Sequence, residues 1–169
     1  SSPVRAMVLS MFGFDPEASQ PAVLPCRPEG IEGGKFWQGV DAEALLQWLC
    51  TNDVAVSFGR TVYTGVLNAR GTYEADVTLT RLAHDAYLWV TSSASVVRDH
   101  DWIVRHRSAE QHVSVTDVTG SIAVLGVMGP RSRDLLQSLS GADLGNEAFG
   151  FATSREIDLG PFTIRATRI

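Results

Sequence analysis

Gly59 to Arg81, GRTVYTGVLNARGTYEADVTLTR, is the stretch that decides the fold class. In its first half Val62, Thr64 and Val66 alternate with Tyr63, Gly65 and Leu67. The cluster Asn68-Ala69-Arg70-Gly71 interrupts the run. Tyr73, Ala75, Val77 and Leu79 then alternate with Glu74, Asp76, Thr78 and Thr80. Successive side chains of a strand point to opposite faces, so two such runs around an Asn- and Gly-containing turn predict a β-hairpin. One residue is out of character: Asp is a poor strand former, yet Asp76 falls in the middle of the second strand. A carboxylate on a rigid strand can accept hydrogen bonds, pair with a cation or act as a general base. Taken by itself, Asp76 reads first as an edge-strand residue that faces water or pairs with Arg70 or Arg81.

Outward from the hairpin, Lys35–Val40 reads as a short strand and Asp41 as the N-cap of a helix over Ala42–Cys50. Leu45, Leu46, Trp48 and Leu49 give that helix an apolar face. Val54–Val56 is a short extended piece, and Ala86–Thr91 (AYLWVT) is apolar enough for a central strand. Ser92 or Ser93 can cap a helix to about Arg107 that buries Val96, Val97, Trp102, Ile103 and Val104. Strands follow at His112–Thr119 and Ile122–Val127. Pro130 suits the first position of a helix to Leu139 that buries Leu135, Leu136 and Leu139. Thr153–Leu159 and Phe162–Ile169 form a last hairpin around Gly160-Pro161. Hairpins mixed with crossing helices predict an α+β fold with largely antiparallel sheets rather than a doubly wound sheet.

Residues 1–34 are different. They hold five of the seven prolines, and Gly30, Gly33 and Gly34 follow. That density breaks helix and strand, so they are expected to be an irregular lead-in, with the apolar patch Val4–Phe14 as a short strand or helical turn. Residues 35–169 are expected to form one domain. The chain stops inside an alternating segment at Ile169, so that domain is expected to be incomplete at its C-terminal end.

A formal net charge of −5 argues against a nucleic-acid-binding or anionic-membrane surface. No apolar run reaches the length of a membrane span, and the first residues lack the order of a signal peptide. Cys26 and Cys50 are too few for a metal knuckle or a disulfide scaffold and read as reduced thiols of a cytosolic protein.

Other motifs carry little chemistry. Gly34-Lys35 has Glu29 where a phosphate loop needs glycine and Phe36 where it needs Ser or Thr. Gly126-Val127-Met128-Gly129 lacks the third glycine of a dinucleotide fingerprint. His84, His100, His106 and His112 show no metal-ligand spacing. Cys50 ends an apolar helix face with no basic cluster to activate it, and reads as a buried, inert thiol.

A set of ordered segments carries a resemblance. Thr51-Asn52-Asp53-Val54, Gly59-Arg60-Thr61-Val62-Tyr63-Thr64, Leu67-Asn68, Gly71 and Asp76-Val77-Thr78 come first. Val124-Leu125-Gly126-Val127-Met128-Gly129-Pro130-Arg131 and Asp143-Leu144-Gly145-Asn146-Glu147-Ala148-Phe149 follow. Together they resemble the aminomethyltransferase family, the T-protein of glycine cleavage, and most of all the folate-binding C-terminal halves of sarcosine and dimethylglycine dehydrogenases and oxidases. The likeness covers residues 34–169.

It implies a tetrahydrofolate-dependent one-carbon transfer domain acting with a methylated-amine or aminomethyl donor, and a flavoprotein partner for the oxidation, since no flavin domain is in this chain. Asp76 matches the family's catalytic aspartate. Tyr63, Leu67, Val90 and Thr91 match the folate pocket. Segments that clamp the pterin ring in the family, a Tyr-x-Gly-Glu run and a later Gly-x-Glu, are not in the sequence. A non-catalytic regulatory or interaction module of the same fold is the alternative. Cytosol is the expected compartment, or the mitochondrial matrix in a eukaryote.

Overall fold

The computed structural model describes Ala6–Met11 and residues 33–169, so Cys26 and most of the proline-rich lead-in lie outside the described residues. Nine strands and three helices are present among them. They are β1 (Ala6–Met11), β2 (Gly33–Gln38), α1 (Ala42–Leu49), β3 (Thr61–Leu67), β4 (Tyr73–Ala83), β5 (Ala86–Thr91) and α2 (Val96–His106). Then come β6 (Ser114–Asp117), β7 (Ile122–Val127), α3 (Ser132–Leu139), β8 (Thr153–Leu159) and β9 (Phe162–Arg168). A single 3₁₀ turn, Ser93–Ser95, leads into α2.

The strands form two sheets, of order β3-β4-β5-β2-β6 and β7-β1-β9-β8. Every strand pairing is antiparallel, which is the expected α+β class. The apolar patch near the start of the chain is resolved in favour of a strand: β1 pairs with both β7 and β9 and so lies inside the second sheet. The sheets join where Thr61 N donates to Ala152 O at 2.9 Å and Ser154 N to Gly59 O at 2.6 Å, linking the β3 and β8 edges.

Alternation gives the five-stranded sheet two faces with separate jobs. One face packs on α1 and α2. There Trp37, Trp89, Tyr87, Val66, Val77 and Leu79 meet Leu45, Leu46 and Ile103 in the main core, with Trp37 and Trp89 stacked at 5.6 Å between ring centroids. The other face turns toward the second sheet, and Leu88, Val90 and Ile122 fill the seam with Val124 and Ile169. A third cluster, including Leu136, Leu144, Phe149, Ile157 and Ile164, lies under α3.

Several local expectations need correction. Asp41 does not cap α1 through its side chain; its carboxylate accepts from the His112 backbone N–H at 2.6 Å. Among the apolar helix residues, Trp48, Val97, Val104, Leu135 and Leu139 are exposed. These helices are short and lie on a sheet, so only a narrow stripe of each is covered, and neighbours in sequence fall outside it. Cys50 is buried, and desolvation pushes its thiol up to about 12, so no reactive thiolate forms near neutrality.

Candidate functional site

The hairpin predicted at Gly59–Arg81 is β3 and β4. Its turn is built by Asn68, whose Oδ1 accepts from Arg70 N at 2.9 Å and Thr72 N at 3.2 Å. Gly71 takes the left-handed φ of +75° that closes the loop. The register runs Thr61–Thr80, Tyr63–Thr78 and Gly65–Asp76, with Leu67 opposite Tyr73 at the tip. These residues share the face that looks toward the second sheet. They climb out of the seam in order. Thr61 and Thr80 are buried and share a hydroxyl contact at 3.1 Å. Tyr63 is 67% exposed, and beyond it Asp76 and Tyr73 are open to solvent.

The centre of the site is one contact. The Tyr63 phenol donates to Asp76 Oδ2 at 2.9 Å. That hydrogen bond, with the carboxylate's charge behind it, raises the Tyr63 phenol above its ordinary value, so the phenol stays a donor at neutral pH. No cation among the described residues lies within ion-pair distance of Asp76. Arg81, a partner offered by the sequence, is taken: it binds Glu43 at 2.6 Å and carries the Val56 and His84 carbonyls. Asp76 therefore presents a carboxylate anchored by one phenol and otherwise facing outward.

Leu67 stands at the rim, 36% exposed, on the same face. Val90 pairs with Thr78 and is buried at the seam, packed with Leu88 and Ile122. Thr91 is not brought to the site. It falls on the helix-facing side, where its hydroxyl donates to the buried Asp99 Oδ2 at 2.6 Å. Thr91→Val is expected to cost about 1–3 kcal/mol of stability by leaving that carboxylate short of a donor. Urea unfolding measures it, and a cost below a few tenths of a kcal/mol would contradict the placement.

One residue escaped the sequence reading. Strict alternation placed Tyr73 with Ala75 and Val77, on the core side. In the structure the register shifts between Val66 and Leu67: Val66 pairs with Ala75, but Leu67 pairs with Tyr73. Glu74 is the extra residue of a β-bulge, and Tyr73 is thereby turned to the Asp76 side. A signal was available in Gly65, since a lone glycine in a strand marks a bulge or a close approach.

Comparison with known proteins follows the same lines. Residues 34–169 match the GCVT N-terminal domain. The chain belongs to this family. It is 35% identical over 153 residues to the mitochondrial sarcosine dehydrogenase of Mus musculus, covering 80% of this chain and 16% of that protein. It is 30% identical over 122 residues to the mitochondrial pyruvate dehydrogenase phosphatase regulatory subunit of the same species, covering 72% of the chain and 14% of that protein. The chain thus spans about a sixth of the length of these relatives. Its fold is that of the glycine cleavage system aminomethyltransferase T from Bartonella henselae, with a TM-score of 0.63 at 18% identity over 83% of this chain and 40% of that one.

Proposed function

We propose that this GCVT domain binds tetrahydrofolate at the open face of the β3–β4 hairpin and serves one-carbon transfer to it. The observation that carries the reading is the Tyr63–Asp76 pair, a strand-held carboxylate with one oxygen fixed and no cation among the described residues within ion-pair distance. The residues fit the group: an aromatic wall and an apolar rim suit a flat heterocycle, and a free carboxylate suits its amine. Tetrahydrofolate, when bound, supplies the amine that takes up the one-carbon unit. Asp76 then accepts the proton released as the carbon–nitrogen bond forms, or steadies a cationic iminium donor by its charge. Tyr63 holds Asp76 Oδ2 and lines the pocket; Leu67 and Val90 supply rim and floor. Thr91 contributes to this site only through the strand it continues.

The donor is a methylated or aminomethyl amine. A flavoprotein domain is the natural partner, given the likeness to a dehydrogenase. The cytosol or the mitochondrial matrix is the compartment that fits; no helix among the described residues is long and apolar enough to cross a membrane.

Calorimetric titration with tetrahydrofolate and 5-formyl-tetrahydrofolate tests the reading. Saturable binding is expected, and its absence overturns it. Tyr63→Phe keeps the ring and loses the donor, so transfer is expected to fall about three- to tenfold with affinity little changed. An unchanged rate removes the phenol from the mechanism. The likeness to a regulatory subunit favours a second reading, a non-catalytic interaction module, and that reading predicts a stable fold with no folate affinity.

A further inference from the structure

We infer that Tyr73 is the second aromatic wall of the Asp76 site, and that the bulge at Glu74 and the bare backbone of Gly65 exist on this hairpin to seat it. The inference rests on the folate reading above. Three observations converge on it.

The register shift puts Tyr73 on the Asp76 face, whereas unbroken alternation would bury it with Ala75 and Val77 on the other. Gly65, the direct cross-strand partner of Asp76, holds the ring. A Cβ at Gly65 would lie 2.5 Å from Tyr73 Cε1, closer than real Cβ atoms stand, and a tight 3.1 Å from Cζ. The ring thus occupies the space that a side chain opposite Asp76 would fill. Directly opposed positions on one face are neighbours, so the ring borders the carboxylate. Tyr73 also remains 72% exposed, with much of its surface open. Tyr63 and Tyr73 therefore flank Asp76, one through its hydroxyl and one through its ring, and the gap between them suits a flat, amine-bearing ring.

Aromatic cover of a strand glycine can also be purely structural. Ligand affinity separates the two roles. Tetrahydrofolate is titrated calorimetrically into the wild-type chain, Tyr73→Leu, Tyr73→Phe, Gly65→Ala and the Gly65→Ala/Tyr73→Leu double variant. Circular dichroism confirms that each is folded. Tyr73→Leu keeps cover over Gly65 without a flat ring and is expected to weaken binding about tenfold. Tyr73→Phe binds as wild type.

Gly65→Ala evicts the ring and is expected to match Tyr73→Leu, and the double variant is no weaker than either single one, since both remove the same contact. Wild-type binding with Tyr73→Leu and Gly65→Ala within twofold of it overturns the role of Tyr73 alone. No binding by the wild type overturns the folate reading and this inference with it.

Discussion

Asp76→Asn is expected to slow one-carbon transfer to tetrahydrofolate by about 10²–10⁴-fold while folate affinity stays within a few-fold. The amide has the carboxylate's shape, and its oxygen can still accept the Tyr63 hydrogen bond that spans 2.9 Å. What it loses is the capacity to take a proton and the charge that steadies a cationic donor. Those interactions matter in the transition state more than in the bound complex, so the loss falls on rate rather than on affinity. Stopped-flow measurement of methylene-tetrahydrofolate formation reads the rate, and calorimetry reads the affinity. Wild-type turnover in Asp76→Asn would sink the assignment. A parallel collapse of affinity would make Asp76 a binding group instead.

The site is a consequence of how the two sheets share the hairpin. Near Thr61 and Thr80 its inter-sheet face is closed by the second sheet, and the paired hydroxyls are buried. Four residues further along β3 the seam has opened, and the same face is solvent-accessible at Asp76 and Tyr73. On its reverse, Val66, Ala75 and Val77 are anchored in the main core. The hairpin is therefore rigid on one side and open on the other, which is what a carboxylate needs to be held in place yet reachable.

The hairpin, Ala86–Thr91, Ile122–Val127 and the last two strands were legible because period-2 alternation and glycine turns are local signals. The fully buried burial pattern of β5 agrees with the apolar run AYLWVT. What was not legible depends on partners far along the chain. Placement of Ala6–Met11 between β7 and β9 is set by residues more than a hundred positions away. Which leucine of α3 is buried depends on where the sheet lies, and of Leu135, Leu136 and Leu139 only Leu136 reaches the core. The Tyr63–Asp76 pair could be proposed from spacing, because both residues fall on one face in an unbroken register. Tyr73 was marked only by the lone Gly65 opposite Asp76, since a single inserted residue inverts every side chain beyond it.

Lys35→Met is expected to destabilise the fold by about 3–5 kcal/mol. Lys35 is the only lysine of the chain and is fully buried on β2. Its ammonium donates to the Val96 carbonyl at the start of α2, at 2.9 Å. Asp99, on the same helix, is equally buried and is held by the Thr91 and Ser95 hydroxyls. Desolvation lowers the Lys35 pKa, and the charges of Asp117 and Asp99 oppose that. Methionine matches the stem but leaves the Val96 carbonyl without this donor and Asp99 without a nearby buried cation. Adding Asp99→Asn to Lys35→Met should recover part of the loss, since in Lys35→Met the buried Asp99 keeps only the largely exposed Arg98, 3.5 Å away, as a cation among the described residues.

The pH dependence has a definite sign. With the native pKa below the unfolded value of about 10.4, the unfolded chain binds more protons between the two, so this group makes stability rise with pH across that window and leaves it flat below. Urea unfolding of wild type and Lys35→Met through the alkaline range measures the difference. Selective ¹³Cε-lysine labelling follows the one ammonium directly by its single resonance. A loss below about 1 kcal/mol in Lys35→Met, or a lysine resonance titrating at or above the free value, would show that the ammonium is not buried between β2 and α2.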